Sequence, residues 1–475
     1  MKNKKLLLMI MCVSLLTACK DGKPLTEQTT SDVSEAMTET AVSAIDALPT
    51  KDFDGYEFKI LVYDNVADEH AADTLTGDSI NDAVYERNEY VKNRYNIDIS
   101  VTPMAHETYI ATVANIVQSN EDPYDLYQIF LSYAATNFAP AGYFLDWNDI
   151  AYVNDNLDEV WWCQYGVENL QLKGENYFLN GGLSHYMLFN ATGLVFNKDV
   201  FTQNGLEYPY ESVYNGTWTL DSLLTLCAEG SVDLNGDSKY SIDDDYFAFL
   251  TNRWAAPAGL PIASDLQTLK YESNGYPILN VITDRTVSMY EKMYQLIVEG
   301  NAPLNDGAKF LKTFSENRAM FIADVIYNPG LRDVDCDFGY LPYPKYDESQ
   351  KTYITSVDGG TASAAVLITA SDTERTGLIT EVLCQKGYEL VFPAAYNDML
   401  QGKLAQDEDS RKMLEIMYET STFDPLYIFN FNNMGFFFND CISSQKKDFV
   451  SDYQAKEKGT LAAIESFWEQ IENSQ

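Results

Sequence analysis

Histidine is scarce in this chain: His70, His106 and His185 are the only three among 475 residues. Hydrolytic triads and zinc sites are therefore poor fits, and neither HExxH nor GxSxG occurs. No GxGxxG or GxxxxGK follows any stretch that reads as a strand, which argues against a nucleotide role. Positive charge is also short, with 32 Lys and Arg against 71 Asp and Glu and a formal net charge of −39. That balance excludes nucleic acid as a partner and flat docking on anionic lipid. Beyond Cys19 the folded part holds Cys163, Cys227, Cys336, Cys384 and Cys441, an odd number at wide spacings with no CxxC. Neither a metal nor a disulfide framework is indicated; mostly buried thiols are expected, with one isolated pair left open.

What is present begins with location. Lys2, Lys4 and Lys5 precede an apolar stretch from Leu6 to Leu16, followed by Thr17, Ala18 and Cys19. A basic start and a core of roughly 7–15 apolar residues is a secretory signal, short of the ~20 that cross a bilayer. The sequence LTAC resembles the lipobox of bacterial lipoproteins, which implies acylation of Cys19 as the mature N-terminus. The alternative is an ordinary signal cleaved near Ala18. Removing residues 1–18 leaves 71 acidic against 29 basic residues. From Asp21 to Thr50 there is no aromatic residue, only Thr, Ser and scattered acids around small apolar side chains, so residues 19–51 read as a flexible tether.

The folded part starts near Phe53 and is too long for one core, so two lobes are expected. Tyr56–Tyr63 reads as a strand. A helix follows with Ile80, Val84, Val91 and Tyr95 on one stripe and Ser79 with Asp82 as a capping pair. NIDISV is a second strand, 107–118 a second helix, and PYDLYQIFL a third strand. This alternation predicts an α/β sheet with parallel pairing, whose ligands bind beyond the carboxyl ends of strands. Aromatics are plentiful, with 33 Tyr, 24 Phe and 6 Trp. Most will be core, but Tyr and Trp pair a flat apolar face with a polar handle, which suits sugar rings. Trp161-Trp162 is read as packing on a helix.

The middle of the chain carries a family resemblance. NYFLNGGLSHYMLFNATGLVFNKDVF (176–201), with Phe196-Asn197-Lys198 after a strand, then GTWTLDSLLTL (216–226), with Trp218-Thr219 opening a helix, resemble extracellular solute-binding proteins of ABC importers. FSENRAMFIADVIYNPGLR, DFGYLPYPKYDESQKTYITS (337–356) and the helical PAAYNDMLQGKLAQDEDSRKMLEIM (393–417) extend the likeness to carbohydrate-type members, over about 53–471. The resemblance implies a two-lobed, periplasmic-binding-protein-like (Venus-flytrap) α/β clamp with two or three strands crossing a hinge. From chain order one lobe is placed at 52–189 plus 357–397 and the other at 190–354 plus 398–471. It implies capture of a small solute, an oligosaccharide or sugar, and its delivery to ABC permease subunits. The protein would be a non-enzymatic monomer held on the outer face of the membrane by its lipid.

Candidate ligand residues are those at loop positions facing a cleft. Asp64 follows the first strand; Ser132, Tyr133 and Asn137 follow the third. Tyr186 and Asn190, with His185 a weaker candidate, lie at the crossing. Trp254 sits in a loop broken by Pro257 and Gly259, Tyr327 ends a strand, and Asp358 precedes two glycines that let backbone approach a ligand.

The loop SVDLNGDSKYSIDDD has calcium spacing. Asp233, Asn235 and Asp237 take positions 1, 3 and 5, Lys239 offers its carbonyl at 7, Ser241 stands at 9 and Asp244 at 12. It resembles EF-hand and dockerin loops, with Ser238 where glycine is usual and the shorter Asp at the end. A structural ion outside the cleft is expected; the alternative is an acidic solvated loop. Two other functions stay open on sequence: a secreted lipoprotein glycoside hydrolase, although chance pairs among 71 carboxylates are no argument for it, and a binding protein feeding a sensor kinase.

Overall fold

The computed structural model describes residues 45, 47–304, 307–400 and 407–474. Cys19 and most of the tether lie outside them. In chain order the strands are β1 (Tyr56–Tyr63), β2 (Ile97–Met104), β3 (Leu126–Phe130), β4 (Thr192–Asn197) and β5 (Phe247–Thr251), then the short pair β6 (Leu269–Tyr271) and β7 (Pro277–Leu279). They continue with β8 (Ala319–Val325), β9 (Phe338–Leu341), β10 (Thr355–Ser356), β11 (Ala362–Ala365) and β12 (Ser421–Thr422).

Two four-stranded sheets organise the molecule. The first has the order β11-β3-β1-β2, with β1 parallel to both neighbours and β11 antiparallel to β3. Phe58, Ile60, Leu61 and Val62 are fully buried, as expected of a strand covered on both faces. The second has the order β5-β8-β4-β9, with β8 parallel to β5 and antiparallel to β4. The chain therefore has a mixed α/β fold built on two sheets.

Four segments are joined side by side between the sheets. Ile326 N–H donates to the Ala191 carbonyl (2.8 Å), Asp358 N–H to that of Asn190 (3.0 Å) and Val357 N–H to that of Thr422 (3.0 Å). β10 and β12 pair in parallel beside them. Short strands joined by a few backbone bonds are where a clamp can flex.

Local chemistry explains the helix boundaries. Helix Ser79–Tyr95 is capped by Asp78, not by the expected Ser79. Its carboxylate accepts from the Ile80 and Asn81 N–H groups, while Asp82 turns back to Thr76 and Gly77. The helix stops where Asn96 enters the left-handed region at φ 48°. Asn197 caps the helix begun by Lys198, and Thr219 caps Leu220–Leu226 through a reciprocal box with Ser222. Pro257 and Gly259 do not break a loop: both belong to helix Ala256–Ala263, with Pro257 in its first turn, where a missing N–H is tolerated.

Trp161 and Trp162 are fully buried against helix Thr373–Lys386, and both indole N–H groups donate to the carboxylate of Glu381 (2.8 and 3.0 Å). Gln385 donates to it as well (2.7 Å). All five described cysteines are free and buried. Among the described residues no helix is long and apolar enough to cross a membrane.

Candidate ligand cleft

The carboxyl ends of both sheets open on one cavity of about 500 Å³. Such volumes suit small-molecule sites. On the first side β3 ends at Phe130, and one helical turn, Leu131–Tyr133, sets Ser132 and Tyr133 at the sheet edge. Ser132 donates to the Gly359 carbonyl through both its N–H and its hydroxyl (3.1 Å each). Tyr133 stands edge-on to His106 (4.3 Å) and Phe130 (5.6 Å) with its ring partly in solvent. Asp358 is held open toward the cavity by Gly360 N–H (2.8 Å) on one oxygen and the Tyr427 hydroxyl (2.8 Å) on the other. The glycines that follow fit against the chain itself. A Cβ at Gly359 would stand 3.1 Å from the Ser132 Oγ, and one at Gly360 3.2 Å from the Phe130 ring.

On the second side β5 ends at Thr251. Asn252 then caps the turn, its Oδ1 accepting from Trp254 and Ala255 N–H (2.8 and 3.0 Å). Its Nδ2 reaches Asp324 at the end of β8 (3.2 Å), and Asn328 donates to the other oxygen of that carboxylate (3.5 Å). Burial pushes the Asp324 carboxyl above its ordinary value. Trp254 is 44% exposed, an unusual state for a large ring. It is braced by the Arg253 guanidinium over its face (4.5 Å) and by Phe436 at its edge (5.1 Å). Arg253 is in turn held by Asp440 (2.9 Å).

Of the eight ligand residues expected from sequence, Ser132, Tyr133, Trp254 and Asp358 line this cavity together. Four are placed elsewhere. Asp64 lies exposed on the short turn after β1. Tyr186 is drawn aside because buried Glu69 accepts its N–H (2.7 Å) and the Ser184 hydroxyl (2.8 Å), leaving its own hydroxyl toward Asp68 (3.5 Å). Tyr327 stacks on Phe189 (3.9 Å) and donates to Asp398 (2.9 Å). Asn190 sits behind the cavity, where its carbonyl supports Asp358 N–H and its amide reaches Thr361 (3.3 Å). His185 is buried between Tyr186 and Phe189, and desolvation lowers its pKa to about 3, so it is neutral. Asn137 is exposed and bonded to its own turn.

Asn252, Asp324, Tyr427 and Phe436 line the cavity without having been expected. Asn252 and Asp324 stand within stretches already noted, two residues before Trp254 and three before Tyr327. The signal for the other two is LYIFNFNNMGFFF (426–438), dense in aromatics and asparagine. A larger depression of about 800 Å³ lies beyond Tyr427, bounded by Tyr271, Asp424 and β12, but it touches no strand of either four-stranded sheet.

In the loop at 233–245, Asp233 accepts N–H bonds from Gly236 (2.6 Å) and Ser238 (2.7 Å), and Asn235 and Asp237 accept from Asp237 and Lys239. Ser238 takes φ 65°, the turn for which glycine was expected. Asn235 donates to Asp244 (2.9 Å), Ser241 accepts from Asp243, and Asp245 bonds Leu234 and Ser241 N–H. The side chains of Asp233, Asn235, Asp237, Ser241 and Asp244 carry the oxygen atoms that a hard cation takes. Among the described residues, however, no three His, Cys, Asp or Glu groups converge to hold a metal.

No family model matches the sequence. No curated protein matches it either. Solved structures do. A family 1 extracellular solute-binding protein from Bifidobacterium longum subsp. infantis superposes with TM-score 0.53 at 14% identity, over 87% of this chain and 99% of that one. A cyclo/maltodextrin-binding protein complexed with maltotetraose gives 0.52 at 13%, over 88% and 98%. An ABC substrate-binding protein from Listeria monocytogenes in complex with cycloalternan gives 0.51 at 12%, over 88% and 99%. The fold is that of the two-lobed ABC solute-binding proteins.

Proposed function

We propose that the protein is a lipid-anchored, extracellular solute-binding protein that captures a saccharide between its two sheets and passes it to an ABC permease. The observation that carries this reading is the cavity at the carboxyl ends of both sheets, to which each side contributes aromatic and hydrogen-bonding groups. Ser132, Tyr133 and Asp358 would meet the solute from one side, and Asn252, Trp254 and Asp324 from the other. A ligand bridging both sides stabilises the closed clamp, which the permease then recognises. The neighbours in complex with maltotetraose and cycloalternan support a carbohydrate over other solutes. Anchoring rests on the lipobox-like LTAC and would take place at Cys19. A calcium ion held by Asp233, Asn235, Asp237, Asp244, Ser241 and the Lys239 carbonyl is proposed on spacing and donor chemistry alone, as a structural brace.

A thermal-shift screen against a glycan library tests the main reading. A ligand at a hundred times its dissociation constant stabilises by ~2.7 kcal/mol, well within detection. No shift with any glycan, or glycan cleavage during incubation, would overturn it.

A further inference from the structure

The charge of the cleft carries a sharper inference, which rests on the saccharide-binding reading above. Two lining side chains are acidic, Asp358 from the first side and Asp324 from the second, and none is Lys, Arg or His. The donors to them are neutral: a backbone N–H and a tyrosine hydroxyl for Asp358, and two asparagine amides and the Val325 N–H for Asp324. Neither has an ion-pair partner among the described residues. Arg253, the cation next to Trp254, is engaged by Asp440 and lies over the indole ring.

A clamp that closes over these carboxylates removes water from both. Desolvating charge without a counter-charge is costly, and attraction to an opposite charge grows as water leaves. The rings of Tyr133, Trp254 and Phe436 at the same cavity add faces that attract cations. A formal charge of −39 on the whole chain favours the approach of positive solutes and repels anions. Two carboxylates alone are too few ligands to build a metal site.

We propose that the cleft selects saccharides bearing a protonated amine, amino sugars and their oligomers, over neutral and anionic saccharides of the same size. The ammonium group supplies the charge that Asp324 and Asp358 lack, while the ring faces stack on the aromatics. Burial already holds the Asp324 carboxyl above its ordinary value, and an ammonium beside it would oppose that shift.

The test is titration calorimetry on the full protein with glucosamine, galactosamine and mannosamine and their short oligomers. Each is run beside its N-acetyl and its plain hydroxyl counterpart, and beside the corresponding uronic acid. The expected result is that at least one amine binds ten-fold or more tighter than both neutral counterparts, with no binding of the uronic acid. That advantage should shrink as salt is raised, a readout that needs no variant. In Asp324→Asn and Asp358→Asn, which keep side-chain shape, the ratio of amine to neutral-saccharide affinity should fall toward one, and a ratio unchanged from wild type in both variants would overturn the charge inference. Neutral saccharides binding as tightly as amines would overturn the charge inference and leave the saccharide reading standing. Binding of no saccharide in any form would overturn both.

Discussion

Replacing Glu381 by Gln tests how the tryptophan pair is held, and its effect can be worked out from the site. The Glu381 carboxylate is fully buried and takes three neutral donors, Trp161, Trp162 and Gln385, with no cation beside it. Burial raises its pKa from 4.5 to about 7, the hydrogen bonds opposing that shift only in part. The folded protein therefore binds a proton more tightly than the unfolded chain. Stability contributed by this group is full below the unfolded value and falls as pH rises from there through about 7. Between pH 5 and pH 8 the expected loss is roughly 2–3 kcal/mol, from about 1.4 kcal/mol per pKa unit over that interval. Glu381→Gln is permanently neutral and escapes this loss. Whatever constant cost the amide brings by facing an indole N–H, the difference between variant and wild type should shift by roughly 2–3 kcal/mol in favour of the variant between those pH values. Urea unfolding followed by tryptophan fluorescence at pH 5, 6, 7 and 8 measures it. Parallel stability curves for the two proteins would refute the reasoning, because the carboxyl would then titrate alike in folded and unfolded chains.

Trp254→Ala should weaken binding of whichever saccharide the screen identifies by ten-fold or more, about 1.4 kcal/mol, with little change in melting temperature because the ring is 44% exposed; calorimetry at unchanged affinity would remove Trp254 from the site. Gly259→Ala places a methyl 2.4 Å from the Tyr343 ring and 3.1 Å from Thr192 Oγ1, and should cost ~1–3 kcal/mol by overpacking; denaturant unfolding with a wild-type midpoint would contradict that geometry. Calcium should bind at ~0.1–1 mM and be lost in Asp233→Ala; calorimetry that detects no heat up to several millimolar ends that proposal.

Much of the scaffold was legible because local chemistry and tertiary demand agree there. β1 spans the expected Tyr56–Tyr63, since a run such as KILVY suits a strand buried on both faces. Asn197 and Thr219 announce the helices they cap. The lining of the cavity was half legible. Trp254 and Asp358 stand out as polar or aromatic groups beside turn residues, and both reach the cavity. Tyr186 and Tyr327 have the same local appearance, yet Glu69 and Asp398 take their polar atoms elsewhere. Those partners are distant in sequence, so nothing local could have separated the two pairs. Asp324 reads as one polar residue inside an apolar strand, and only the pairing of β8 with β4 and β5 puts it at the cavity rim.

What closes the clamp can be weighed in the same way. Arg332 and Tyr327, just after β8, both reach Asp398 (2.5 and 2.9 Å) on helix Phe392–Leu400. That helix packs through Ala394, alongside Val391, against Val84 and Ala83 of the first sheet's leading helix. The contact thus ties the two sides without any ligand. Arg332 remains 43% exposed, so the pair contributes only ~0–1 kcal/mol. Moving a clamp from one closed molecule in a hundred to ninety-nine takes ~5.5 kcal/mol of differential affinity. A surface pair cannot supply that, whereas a solute touching Ser132 and Asp358 on one side and Asn252 and Trp254 on the other makes half its contacts only after closure. Asp398→Ala should accordingly leave saccharide affinity within about five-fold of wild type (1.4 kcal/mol per ten-fold), while Trp254→Ala lowers it by more. If calorimetry finds the reverse order, the tie at Asp398 governs closure and the cleft residues do not.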